Sequence, residues 1–132
     1  KMAYEIADGL ISTGIEVNVL NFNDQDTGNI ATQIFGSRAL VIGCPSSNGG
    51  IPPELSSIFS YLNSIGLKNK SVALFTCYEG KKSPVKILLD NLSILKFDLI
   101  DEPLEVHYAP DESELTKCFE FGVRIGERTK NT

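Results

Sequence analysis

The chain has 132 residues, 42% hydrophobic and 22% charged, which bounds it to one globular domain with a single core. A net charge of −5 leaves no basic stripe for phosphates, so nucleic acid is excluded as a partner. No apolar run nears the roughly 20 residues of a membrane span, and no signal peptide opens the chain, so no membrane partner and a cytoplasmic location are expected. Three cysteines at no metal-like spacing agree with a reducing compartment and no disulfide framework.

Residues 1–13 read as a helix, with Met2, Ile6 and Leu10 on one face and Gly14 as its C-cap. The chain opens on Lys1 directly in this helical pattern, without a lead-in strand, so upstream residues are expected to be missing. Residues 16–20 alternate Glu-Val-Asn-Val-Leu and predict a half-buried strand near the sheet edge. The loop after it carries Asp24 and Asp26, which read as caps and turn formers rather than metal ligands. A short helix follows on Ile30, Ile34 and Phe35.

Residues 38–44 form the central strand, an apolar run suited to a strand covered on both faces. It ends abruptly in Pro45-Ser46-Ser47-Asn48-Gly49-Gly50, which is either a tight turn or a low-bulk loop that a flat, polar-edged ligand approaches. Residues 52–65 predict a helix entered through Pro52 and Pro53, with Leu55, Ile58, Phe59, Leu62 and Ile65 inward. A second buried strand, 71–77, ends in Tyr78-Glu79-Gly80-Lys81-Lys82. Ser83 caps a helix with Pro84 in its first turn, running to about Lys96. Residues 97–100 and 104–108 form a last extended segment, interrupted by Asp101-Glu102-Pro103. Pro110-Asp111-Glu112 opens a final helix, and residues 126–132 read as a tail.

Alternating helices and strands with short loops predict a parallel sheet between two helical layers. Five helices against four strands leave the first helix without a preceding strand. Ligands of such sheets sit at the carboxyl ends of the strands. Asn48 is the strongest candidate for a ligand contact, because its amide both donates and accepts. Tyr78 is either a stacking face or an ordinary surface aromatic. Cys44 and Cys77 end adjacent strands and are small buried thiols or a redox pair, the former favoured. His107 reads as structural or surface-exposed. A phosphorylation receiver is rejected, since Gly43-Cys44-Pro45 stands where that domain needs an Asp.

Three stretches are familiar. The opening Lys-Met-Ala-x-x-Ile-Ala-x-Gly-Leu, the loop Gly43-Cys44-Pro45-Ser46-Ser47-Asn48-Gly49-Gly50-Ile51-Pro52-Pro53, and Lys68-Asn69-Lys70 before a strand resemble the flavodoxin-like domain of A-type flavoproteins, the flavodiiron proteins. The run from Val106 to Glu112 is similar to that family too. The resemblance implies a flavodoxin-like α/β/α sandwich of strand order 2-1-3-4-5 that binds FMN. Its first strand and phosphate loop would lie upstream of Lys1. The flavin ring would be held by Ser46, Ser47, Asn48 and Gly49 in one loop, and by Thr76, Cys77, Tyr78, Glu79 and Gly80 in the other. The family commonly has Tyr-Gly-Trp where this chain has Tyr78-Glu79-Gly80. Glu79 thus brings a negative charge toward the ring, which Lys81 and Lys82 offset.

The resemblance implies FMN-dependent electron transfer within an oxygen or nitric oxide reductase. The di-iron centre would sit in a separate domain, in cis or in trans, so no catalytic or metal residue is expected here. An electron donor protein such as a rubredoxin or a reductase is the implied partner, and a homodimer is compatible with it. Two other readings stand beside this one. The first is a degenerate module without FMN, serving as a structural or docking surface. The second is an FMN-dependent NAD(P)H oxidoreductase.

Overall fold

The computed structural model describes residues 2–46 and 49–131. Its elements run α1 (Met2–Ser12), α2 (Thr27–Phe35), β1 (Ala39–Ser46), α3 (Pro53–Ser64), β2 (Ser71–Tyr78), α4 (Val85–Leu95), β3 (Asp98–Leu99), β4 (Leu104–His107) and α5 (Glu112–Lys130). β2 is the centre of an all-parallel sheet. β1 pairs along its whole length, from Ala39 opposite Ser71 to Ser46 opposite Tyr78. The other edge of β2 is shared: β3 pairs with Ser71 and Val72, and β4 with the stretch from Phe75 to Tyr78. Asp101-Glu102-Pro103 separates the two ladders, since proline cannot donate to one.

Strand parity divides the core into two layers. Leu40, Ile42, Val72 and Leu74 face α2, α3 and α4, where they meet Ile30, Leu55, Phe59, Leu62, Leu88 and Leu92. Val41, Ala73, Phe75 and Val106 face α1 and α5, where they meet Ile6, Leu10, Phe121 and Ile125. This is the three-layer parallel sandwich that the alternating pattern predicts. Phe75 lies over Gly43, its register partner, where any Cβ would collide with the ring.

Caps follow local chemistry. Asp111 and Glu114 form a reciprocal capping box at the start of α5: the Glu114 N–H donates to the Asp111 carboxylate at 2.8 Å, and the Asp111 N–H to the Glu114 carboxylate at 3.2 Å. Asp26 caps α2 by accepting from the Asn29 N–H at 2.6 Å. This is the capping role expected of that loop's acids. The cap of α4 lies one residue later than expected: Pro84 is the N-cap, and the Ser83 hydroxyl accepts from the Val85 N–H at 3.2 Å.

Ile65, expected inward on α3, is instead exposed at the C-cap of that helix, and two further expectations need correction. Residues 16–20 join no ladder. Ile15 and Val17 still pack toward the α1/α5 layer, while Val19 and Leu20 are exposed. The alternation set which side chains face inward, but a strand also needs a partner to satisfy its backbone. Among the described residues no strand pairs with the second edge of β1, and β1 is accordingly half-buried along most of its length despite its apolar sequence. The second correction concerns residues 126–130, which are not a tail but the last turns of α5. Gly126 lies in the helix because Thr13 packs against it, just as Gly122 packs on the backbone of α1.

Candidate functional site

The carboxyl ends of β1, β2 and β4 bring the two candidate loops together. Ser46 and Tyr78 end their strands side by side, and the Glu79 N–H donates to the Ser46 carbonyl at 2.8 Å. Gly49 is buried, with φ +78°, and packs against the Lys82 side chain. Gly80 turns the second loop with φ +82°. Glycine adopts this left-handed conformation without the Cβ penalty. The two loops are therefore one continuous rim. Ser47 and Asn48 lie outside the described residues.

The side chains divide into those spent inside the protein and those left for a ligand. Thr76 is fully buried, and its hydroxyl donates to the Cys44 carbonyl at 2.8 Å, tying β2 to β1. The Cys77 thiol donates to the Tyr108 carbonyl at 2.8 Å. Burial, then the Glu79 and Glu114 carboxylates, push that thiol's pKa up, which keeps it protonated and unreactive at neutral pH. Cys44 packs in the α2/α3/α4 layer and Cys77 on the opposite one, so they cannot form a redox pair. All three cysteines are free thiols. Ser46 differs from these residues: its hydroxyl is buried and has no hydrogen-bond partner among the described residues. A buried hydroxyl without a partner carries a desolvation cost that a ligand's polar edge would relieve.

The rim carries an aromatic stack. Tyr78 stacks on His107, with centroids 4.6 Å apart and planes at 17°, and His107 stacks on Tyr108 at 4.2 Å and 23°. The His107 Nε2 bonds to the Gly80 carbonyl at 2.6 Å. Tyr108 holds φ +67°, an unusual conformation for a bulky residue. Two bonds stabilise it there: its N–H donates to the Tyr78 carbonyl at 2.7 Å, and its carbonyl accepts from Cys77. Tyr78 is thus not an isolated surface aromatic. Sequence reasoning did not assign His107 and Tyr108 to the site. The available signal was two consecutive aromatic rings at the carboxyl end of a strand, level with both loops.

A cavity of 220 Å³ opens at the other end of the sheet, against Arg38, Ser71, Asp98 and Arg128. It faces the amino ends of the strands, where ligands of open α/β sheets do not sit. The described residues hold no group of three or more His, Cys, Asp or Glu side chains able to bind a metal. Among the described residues no helix is long and apolar enough to cross a membrane.

The rim fits a flat heterocycle with a polar edge. It offers an unpartnered hydroxyl, two glycines that allow close backbone approach, and a stacked aromatic wall. The chain is 33% identical over 129 residues to a nitric oxide reductase of Moorella thermoacetica, covering 97% of this chain and 32% of that protein. It superposes on the flavodiiron protein of Giardia intestinalis with a TM-score of 0.88 at 22% identity, covering 98% of this chain and 32% of that one. On a flavodoxin from the domain Archaea the TM-score is 0.82 at 20% identity, covering 98% and 88%. The chain thus spans about a third of the length of the curated relatives it matches. Both structures share its fold, and the flavodoxin family model matches residues 1–122, so the chain belongs to the flavodoxin family.

Proposed function

We propose that this chain is an FMN-dependent electron-transfer domain working with a di-iron reductase centre held in a separate domain. FMN is the cofactor of the flavodoxin family. The observation that carries the reading is the buried, unpartnered Ser46 hydroxyl on a rim formed by both candidate loops. Ser46, Ser47, Asn48 and Gly49 would line one edge of the ring. Tyr78, Glu79 and Gly80 would line the other, while Thr76 and Cys77 act behind them by fixing the strand ends. When bound, the flavin supplies one-electron chemistry. The chain's own residues bind and orient it: backbone N–H groups and the Ser46 hydroxyl serve its polar edge, and the aromatic wall limits water on one side. The flanking charges of Glu79, Lys81 and Lys82 tune the field there.

The similarity to a nitric oxide reductase of Moorella thermoacetica supports a place in a reductive chain fed by a donor protein of the rubredoxin or reductase class. A cytoplasmic location fits that role. We further propose that residues outside this sequence complete the second edge of β1 with a strand and supply the phosphate loop. The open edge of β1 and the unpaired but inward-facing Ile15 and Val17 support this. The test is expression of the full-length protein followed by an FMN titration. A yellow protein with one FMN per chain, reduced through a donor protein, is the expected result. A colourless protein that ignores added FMN overturns the reading in favour of a docking module. Direct reduction by NAD(P)H without a donor protein would make it an oxidoreductase of the same fold.

A further inference from the structure

We propose that His107 is the positioning residue of this rim, setting the orientation of the Gly80–Lys81 peptide and the plane of the Tyr78 ring. The inference rests on the flavin reading above and adds a residue to it. His107 ends β4, opposite Tyr78 in register, so its side chain lies on the same sheet face as that ring. A carbonyl oxygen can only accept, so the nitrogen facing Gly80 at 2.6 Å must carry a proton. That fixes Nε2 as protonated, whatever the state of Nδ1. The peptide bonds are trans, so the Lys81 N–H points opposite to the Gly80 carbonyl. Anchoring the carbonyl on His107 therefore turns the Lys81 N–H away from the ring stack.

Gly80 at φ +82° brings no side chain to resist rotation of that peptide, so an outside anchor has to select its orientation. The imidazole is itself held from both sides, by Tyr78 at 4.6 Å and Tyr108 at 4.2 Å. Tyr108 keeps its left-handed backbone through its bonds to Tyr78 and Cys77. A strained backbone held by several partners at a ligand-facing rim fits preorganisation rather than packing alone. His107 acts through Gly80 and Tyr78, the two groups it holds.

Two variants of the full-length protein separate its two contributions. His107→Phe keeps a ring of similar size and removes the donor; His107→Gln keeps a donor and removes the ring. The readouts are FMN affinity, the two one-electron midpoint potentials of the bound flavin, and the imidazole ¹⁵N shifts of the flavin-free protein. We expect an Nε2-protonated ring in the wild type and about tenfold weaker FMN binding with shifted potentials in His107→Phe. Partial recovery is expected in His107→Gln. Urea unfolding of each variant identifies a folding defect, and if His107→Phe does not fold, His107→Gln carries the test through its potentials. Wild-type affinity and both potentials unchanged in the folded variants would overturn the positioning role while leaving the flavin reading intact. A wild-type protein that takes up no FMN overturns both.

Discussion

The amide of Glu79 donates to the carbonyl of Ser46 at 2.8 Å, one residue beyond the last rung of the β1–β2 ladder. That bond makes one rim of two loops about thirty residues apart in sequence.

Ser46→Ala should have opposite effects on the free and loaded protein. The hydroxyl is buried without a partner, so its removal should stabilise the FMN-free protein by a few tenths of a kcal/mol to about 1 kcal/mol. The same change should weaken FMN binding several-fold. Urea midpoints and an FMN titration of both proteins check the two signs.

Gly49→Val should damage both stability and the rim. The backbone at φ +78° disfavours a β-branched residue, and the new Cβ would lie 2.8 Å from the Lys82 Cβ. A loss of roughly 1–3 kcal/mol is expected, read by urea unfolding. Gly50→Ala serves as the control, since nothing lies within 4 Å of a Cβ there.

Thr76→Val should cost about 1 kcal/mol, because it removes a buried hydroxyl that ties β2 to the Cys44 carbonyl. A thermal melt read against wild type measures it. An unchanged melt would mean that the bond contributes nothing.

Gly122→Ala should destabilise the α1/α5 layer by roughly 1–3 kcal/mol through overpacking, since its Cβ would collide with the Ile6 carbonyl. Circular dichroism during urea unfolding reports the change.

Burial pushes the Cys44 thiol from 9.0 to about 11. The unfolded chain therefore loses this proton at lower pH than the folded one. The stabilising contribution is complete below pH 9 and is lost as pH rises toward 11. The stability difference between wild type and Cys44→Ala should narrow over that window. A difference flat from pH 8 to 11 would refute the linkage.

The sequence alone determined whatever depends on near neighbours along the chain. The 3.6-residue spacing of Leu55, Ile58, Phe59 and Leu62 built α3, and Asp111 with Glu114 capped α5. The apolar runs of β1 and β2 made parallel strands at the heart of the sheet, of which β2 is the buried one, and the small residues after Pro45 marked the loop at a strand's carboxyl end. Tertiary structure decided whatever depends on partners distant in sequence. Residues 16–20 have strand alternation and no ladder, because pairing belongs to two segments and not to one. Gly126 reads locally as a stop but lies inside α5, because Thr13 needs the space that a side chain would fill. Register placed Cys44 and Cys77 on opposite faces, spent the Thr76 hydroxyl inside the sheet, and left the Ser46 hydroxyl unpartnered. The Tyr78–His107–Tyr108 stack joins two strands that meet only when both pair in the sheet, so no local pattern could have shown it.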